Sequence, residues 1–178
     1  MSLADVSALI RTVPDFPVKG VQFRDVTTLI ADGAGLSAAI GHLTDRLTGH
    51  DLAAIAGMEA RGFIFGAAVA AELKIGFVPI RKPGKLPGRT ISVDYALEYG
   101  DDRLELDPDT IRIGSRVAVI DDLIATGGTA LAAVTLLRQA GAIVSRAEFV
   151  IDLPDLRGAD RLRSAGVQVD ALVSFAGD

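Results

Sequence analysis

The apolar residues of this chain follow two spacings: short continuous runs typical of buried strands, and repeats every three or four positions typical of helices. The runs predict strands over residues 52–56, 77–80, 117–120, 143–151 and 171–175. The repeats predict helices over residues 2–13, 36–49, 63–73 and 130–140, with a short one around 160–162. Strands alternating with helices predict an α/β fold, a mainly parallel sheet flanked by helices.

Two segments depart from this alternation. Residues 14–26 begin with a Pro- and Gly-rich stretch that breaks regular structure, and end in a short extended run. Residues 91–97 and 104–106 are strand-like around a turn at 98–102, which predicts a hairpin extending from the body.

Composition restricts the class of protein. The chain has 178 residues, 49% of them hydrophobic, which suits a single compact domain over residues 1–178. It has no cysteine, so disulfides, thiolate metal sites and cysteine nucleophiles are excluded. Without a signal-peptide pattern or a run of roughly 20 apolar residues, we expect a cytoplasmic protein with no membrane contact. The net charge of −5 argues against nucleic-acid binding.

Residues 117–129 carry the clearest chemistry. A predicted buried strand leads into Asp121 and Asp122, and the small residues Ala125–Thr129 then open a helix that stops near Gly141. In open α/β sheets, ligands bind where strands end. Successive N–H groups at a helix N-terminus can hold a phosphate, while the carboxylates accept hydrogen bonds from sugar hydroxyls. This pattern favours a sugar phosphate, although an aspartate before a glycine turn can also simply cap a helix.

Two basic features have two interpretations each. Arg61 begins a second strand–loop–helix unit, where it is either a surface charge or a group that grips a diphosphate. Residues 81–89 hold four cations and no acid, namely Arg81, Lys82, Lys85 and Arg89. Such a Gly- and Pro-rich segment is either a solvated loop or a mobile lid over a polyphosphate.

The remaining candidates are weaker. Phe23 is either a core or hinge aromatic or a platform on which a flat base stacks. His42 and His50, the only histidines, have no partners in the pattern and are expected at the surface. The Walker and dinucleotide glycine motifs are absent.

Longer motifs resemble one family over nearly the whole chain. Residues 119–129 (VIDDLIATGGT) resemble the phosphoribosyl pyrophosphate (PRPP) motif of type I phosphoribosyltransferases. Residues 56–66 resemble the pyrophosphate loop of the adenine phosphoribosyltransferase family, and residues 80–88 and 95–100 resemble its flexible loop. Residues 14–25 resemble its N-terminal base-binding hood.

The resemblance implies transfer of phosphoribose from PRPP to adenine, giving AMP and pyrophosphate, in a homodimer with Mg²⁺ bound mainly through PRPP. It implies that Asp121 and Asp122 hold the ribose and that Ala125, Thr126, Gly127, Gly128 and Thr129 hold the 5′-phosphate. It assigns pyrophosphate to Arg61, Arg81, Lys82 and Lys85, some of them reaching across the dimer. It places adenine between Phe23 and Leu153, read by backbone groups of Gln22 and Arg24, and ascribes proton transfer to Glu98.

Three other functions are compatible with part of these motifs. Enzymes for hypoxanthine, guanine or xanthine usually carry a cation for the 6-oxo group, and no such lysine lies near Asp152. A PRPP- or purine-sensing regulator would be expected to add a DNA-binding segment. A ribose-phosphate pyrophosphokinase would need a much longer chain.

Overall fold

The computed structural model describes residues 1–96 and 101–177. These residues form the helices α1 (Leu3–Ala8), α2 (Thr27–Ala31), α3 (Gly33–Leu47), α4 (Arg61–Leu73), α5 (Gly128–Gln139) and α6 (Gly158–Ser164). They form the strands β1 (Arg11–Pro14), β2 (Gln22–Asp25), β3 (Ala54–Met58), β4 (Gly76–Ile80), β5 (Ile91–Ala96), β6 (Asp101–Leu106), β7 (Arg116–Ile124), β8 (Ile143–Asp152) and β9 (Gln168–Ser174). Single 3₁₀ turns lie at Pro108–Thr110 and Pro154–Leu156.

The centre of the fold is a five-stranded sheet in the order β4-β3-β7-β8-β9, with every neighbouring pair parallel. Alternate residues of β7 face opposite sides, as the two-residue period of a strand requires. Val117 and Val119 pack on the side of α5 and α6, while Ala118 and Ile120 pack on the side of α3 and α4. The predicted α/β fold, a mainly parallel sheet flanked by helices, is confirmed.

The predicted helix over residues 2–13 was wrong in its second half. Its N-terminus is as the pattern indicates, because Ser2 and Asp5 form a reciprocal capping box. The helix ends at Ala8, and Arg11–Pro14 instead pairs as an antiparallel strand with β2, opposing Val13 to Phe23. The apolar spacing of the segment fits a helix, but a partner strand distant in sequence determines its conformation.

The hairpin of β5 and β6 forms as predicted, but it does not extend from the body. Tyr95, Leu104 and Leu106 are buried in the core on the side of α5. Arg81 also exchanges backbone hydrogen bonds with Glu105, which ties the basic segment to β6. Within the described ranges, no helix combines the length and the apolar character required to cross a membrane.

A buried charge cluster lies within the sheet, away from the carboxyl ends of its strands. Glu148 on β8 is fully buried, and its carboxylate oxygens lie 3.5 Å from guanidinium nitrogens of Arg46 and of Arg146. Neither oxygen makes a hydrogen bond to the described part of the chain. Burial, and after it the nearby Asp170 carboxylate, raises the pKa of Glu148 from 4.5 to about 7, although both arginines oppose the rise.

This cluster predicts a pH-dependent stability. A carboxyl group whose pKa is higher in the folded chain stabilises the fold fully below the unfolded value of 4.5, and that contribution is lost as the pH rises through about 7. Relative to Glu148→Gln, the wild type should therefore lose up to about 3 kcal/mol of unfolding free energy between pH 4.5 and about pH 8. Urea unfolding at both pH values measures this, with the exposed Glu72→Gln as control. A difference between wild type and variant that does not change with pH would contradict it.

Candidate active site

A cavity of about 630 Å³ lies beyond the carboxyl ends of β3, β7 and β8. This is the edge at which open α/β sheets bind ligands. Most of the residues singled out in the sequence line it together: Gln22, Phe23, Arg24, Arg61, Lys82, Asp121, Asp122, Ala125, Thr126, Gly127, Gly128, Thr129 and Leu153. Segments far apart in the chain therefore meet in one space large enough for a small molecule.

The two aspartates lie within β7 rather than after it, which corrects the predicted strand end at Ile120. The strand continues to Ile124 because β8 still pairs with it, opposing Asp121 to Phe149. On the other side, β3 pairs only as far as Ile120. The end of β7 is thus held from one side and open to the cavity on the other.

Asp121 lies directly against the beginning of α4. Its Oδ1 accepts a hydrogen bond from the Asp122 backbone N–H at 2.9 Å. A methyl group at Gly62 would lie only 2.6 Å from that same oxygen. The missing side chain at Gly62 therefore lets helix and carboxylate approach. Burial, and after it the neighbouring Asp122 carboxylate, raises the pKa of Asp121 well above its ordinary value.

Asp122 is only 6% exposed and forms an ion pair with Arg61 Nε. Arg61 begins α4, and its side chain is about half exposed at the cavity wall. The sequence left open whether Arg61 is a surface charge or a ligand-binding cation, and the structure places it in the cavity. A guanidinium has five N–H donors, so this ion pair leaves donors for an anionic ligand.

The segment Ala125–Thr129 forms a tight turn from β7 into α5. Gly127 occupies the N-cap position with φ of +78°, a conformation that other residues rarely adopt. No side chain caps this helix, and Gly127, Gly128 and Thr129 all line the cavity. The N-terminus of α5, the positive end of the helix dipole, thus lies at the cavity, the position that phosphate binding requires.

Two apolar walls bound another part of the cavity. Phe23 on β2 lines one, with the Phe16 ring packed edge-on against it at 5.1 Å between centroids. Leu153 and Leu156 line the other, just after β8. Phe23 is therefore neither fully buried nor isolated, and a planar group between these walls would find apolar contacts.

The side chain of Arg24 connects the two-stranded N-terminal sheet to the residues that follow β9. It donates hydrogen bonds to Thr12 Oγ1 at 2.6 Å and to the Gly177 carbonyl at 3.2 Å. Its guanidinium also lies 4.7 Å from the centre of the Phe175 ring. Arg24 also lines the cavity, and reading of a base by its backbone stays a prediction.

Lys82 joins a cluster that the sequence pattern did not reveal. Its ammonium pairs with the Asp102 carboxylate and lies 3.1 Å from the Tyr95 hydroxyl, which donates to Asp102 at 2.9 Å. The hydrogen bond from Lys82 lowers the pKa of Asp102. Lys82, Tyr95 and Asp102 all line the cavity. At the cavity wall, Lys82 is therefore already paired with the Asp102 carboxylate.

The other predicted cations lie elsewhere. Arg81 donates from Nε to Glu59 at 2.7 Å and from Nη1 to the Lys85 carbonyl at 3.1 Å, and neither Arg81 nor Lys85 lines the cavity. Glu59 does line it and was missed, because its partner is distant in sequence. Glu98 lies outside the described residues. Among residues 1–96 and 101–177, no group of three or more potential metal-binding side chains is arranged to hold a metal ion.

Comparison with known proteins gives a consistent result. The sequence model of the family described as "Phosphoribosyl transferase domain" matches residues 29–163. The adenine phosphoribosyltransferase of Novosphingobium aromaticivorans is 64% identical over 177 residues, covering 99% of both chains.

Solved structures agree. The crystal structure of the adenine phosphoribosyltransferase of Thermoanaerobacter pseudethanolicus superposes with a TM-score of 0.92 at 43% identity, covering 98% of this chain and 100% of that one. The Saccharomyces cerevisiae enzyme, solved with D-2,5-dideoxy-2,5-imino-altritol 1,6-bisphosphate and adenine, gives 0.89 at 35% identity, with coverage of 96% and 98%. The chain therefore belongs to the phosphoribosyltransferase family, among the adenine phosphoribosyltransferases.

Proposed function

We propose that this protein, acting as a single domain, transfers the phosphoribosyl group of PRPP to adenine, giving AMP and pyrophosphate. The observation that carries the proposal is one cavity lined by a helix N-terminus, by the carboxylates of Asp121 and Asp122, by the cations of Arg61 and Lys82, and by two apolar walls. These groups match the parts of the two substrates. The yeast relative solved with adenine and a bisphosphate supports the same pairing.

The ribose would lie over the end of β7. Asp121 and Asp122 would accept hydrogen bonds from its 2- and 3-hydroxyls, while the N–H groups of Ala125–Thr129 hold its 5′-phosphate. As the bond from C1 to pyrophosphate breaks, positive charge develops on the ring. A nearby carboxylate pair favours that charge, and the fixed hydroxyls hold C1 in position.

The leaving diphosphate would take the negative charge. Three of the described cations line the cavity. Arg24 bonds to Thr12 and Gly177, whereas Arg61 and Lys82 are each paired with a carboxylate that also lines it. Pyrophosphate binding would therefore exchange these ion pairs for contacts with phosphate oxygens. Arg81 and Lys85 do not line this cavity, which suits the proposal that cations also reach across a homodimer.

Adenine would lie between Phe23 and Leu153, with backbone groups at Gln22 and Arg24 facing its edge. Stacking holds the flat ring while its N9 attacks C1. The role of Glu98 as the group that accepts the N9 proton stays a prediction.

Mg²⁺ is expected to enter with PRPP. Its usual ligands are oxygens of one or two carboxylates together with phosphates, and the oxygens of Asp121 and Asp122 at the cavity fit that donor set. When bound, the ion neutralises charge on the diphosphate. The diphosphate and ribose oxygens would supply most of its ligands.

The direct test is incubation of the purified protein with PRPP, Mg²⁺ and one base at a time: adenine, hypoxanthine, guanine or xanthine. The expected result is AMP and pyrophosphate with adenine alone. Transfer to another purine would preserve the phosphate and ribose sites but overturn the base assignment. If calorimetry with Mg²⁺ detects no PRPP uptake, the proposed function fails entirely.

The ion pair between Lys82 and Asp102 predicts that a substitution in the cavity wall will strengthen PRPP binding. Asp102→Asn removes a negative charge from the cavity wall while keeping an oxygen that Lys82 can contact. We expect the KM for PRPP to fall by roughly two- to fivefold, the range for one partly exposed ion pair, with the KM for adenine unchanged. Steady-state kinetics at low salt measures both constants.

The matched control is Asp94→Asn, on the same hairpin. Asp94 pairs with Arg103 at 2.5 Å on the exposed side and does not line the cavity. Its variant should leave both constants unchanged. A rise in the KM for PRPP in Asp102→Asn would contradict the prediction, because it would mean that Asp102 supports anion binding.

A further inference from the structure

Two glycines from different parts of the chain are in direct backbone contact beside the cavity. A methyl group at Gly158 would lie 2.2 Å from the Ala125 carbonyl oxygen and 2.6 Å from the Gly127 nitrogen. A methyl group at Gly127 would lie 2.8 Å from the Gly158 carbonyl oxygen. These neighbours are backbone atoms, so a side chain at either position would displace the turn itself.

Gly158 ends a short segment, Leu153–Gly158, that touches the β7–α5 connection at both of its ends. At the first end, the Leu153 N–H donates to the Ile124 carbonyl at 3.1 Å. At the second, Gly158 begins α6 and lies against Ala125 and Gly127. Between the two ends, Leu153 and Leu156 line the cavity.

The same short segment therefore forms an apolar wall of the cavity and supports the turn that faces it. In Gly158, the absence of a side chain lets α6 begin directly behind this turn. The turn consists of small residues without a side-chain cap, so its shape depends on what packs behind it.

We propose that Gly158 is a positioning residue for the 5′-phosphate: by lying against Ala125 and Gly127, it holds the N–H groups of the turn in their anion-binding arrangement. This inference rests on the proposed function, because it takes the turn as the 5′-phosphate site. Gly158 acts through the turn and does not itself contact the substrate.

The test compares two probes that report on different parts of the cavity. In Gly158→Ala, the dissociation constant of ribose 5-phosphate should rise about tenfold or more, the factor for one lost hydrogen bond to a charged group. The dissociation constant of pyrophosphate, which the proposed function assigns to Arg61 and Lys82, should stay within about twofold. Calorimetry gives both constants, and in steady state the KM for PRPP should rise while the KM for adenine does not.

The matched control is Gly33→Ala. Gly33 also begins a helix, and a methyl group there would meet nothing within 4 Å. Equal ribose 5-phosphate binding by wild type and Gly158→Ala would overturn the inference while leaving the proposed function intact. Failure of the wild type to bind ribose 5-phosphate and PRPP would instead overturn the proposed function.

If Gly158→Ala loses both ligands because it does not fold, hydrogen exchange on the wild type decides the question. Ribose 5-phosphate should then slow amide exchange in residues 154–159 as well as in residues 125–130. Pyrophosphate should not slow it in residues 154–159. Protection by ribose 5-phosphate confined to residues 125–130 would overturn the inference.

Discussion

Replacing both Asp121 and Asp122 by asparagine is expected to lower kcat/KM by roughly two to four orders of magnitude while the protein stays folded. Hydrogen bonds to charged groups contribute about 1.5–3 kcal/mol each, and each 1.36 kcal/mol of barrier is tenfold in rate. The double variant removes two such groups and the negative potential beside the developing cation. Asparagine keeps the shape of each side chain, so β7 should still pair with β8.

The experiment measures kcat/KM and the thermal unfolding midpoint of the double variant and of Asp109→Asn. Asp109 is exposed, and its carboxylate lies 3.9 Å from the Arg89 guanidinium, a weak ion pair. Its variant therefore controls for the loss of a carboxylate outside the cavity. Normal turnover by the folded double variant would refute the ribose assignment. Loss of turnover together with unfolding would be resolved by the single variants, of which Asp121→Asn leaves the Arg61 ion pair in place.

The second large effect is expected from Gly62→Ala, a change that adds one methyl group. That methyl would lie 2.6 Å from Asp121 Oδ1 and 3.1 Å from the Ile120 carbonyl oxygen. The carboxylate must then move, and a displacement of about 1 Å in a positioning group can cost on the order of 10²-fold in rate. We therefore expect kcat to fall by about that factor.

Helix propensity by itself would make Gly62→Ala stabilising. A loss of activity in this variant would therefore come from the contact with Asp121. Alanine stabilises a helix interior relative to glycine by about 1 kcal/mol where no contact intervenes. Gly41→Ala in α3 is the matched control, since its methyl would meet nothing within 4 Å and should leave activity unchanged. Full activity in Gly62→Ala would show that the position of the Asp121 carboxylate does not limit the reaction.

Much of the fold was predictable because its elements follow local rules. The apolar runs of β3, β4, β7, β8 and β9 and the helical repeats of α3, α4 and α5 are each encoded within about a dozen consecutive residues. The end of α5 followed from Gly141, which adopts φ of +95° just after the helix. The apolar spacing of Arg11–Pro14 fits a helix as well as a strand. The predicted helix was wrong there because pairing with β2 makes the segment a strand.

The candidate site also has a part that the local sequence predicts and a part that depends on how distant segments pack. Asp121, Asp122 and the turn Ala125–Thr129 are contiguous, so their order alone indicated a strand end that meets an anion-binding helix. The structure then brought Phe23 and Leu153 to the same cavity. The roles of these residues in binding stay predictions that the variants above address.

By itself, the sequence determined the alternating strands and helices, the small-residue turn after two acids, and the family to which these motifs belong. Only the tertiary structure decided which charges meet: Arg61 with Asp122, Lys82 with Asp102, Arg81 with Glu59. It alone placed Gly62 beneath Asp121 and Gly158 behind Gly127. The physical reason is that spacing encodes contacts a few residues apart, whereas ion pairs and close backbone approaches arise when distant segments pack together.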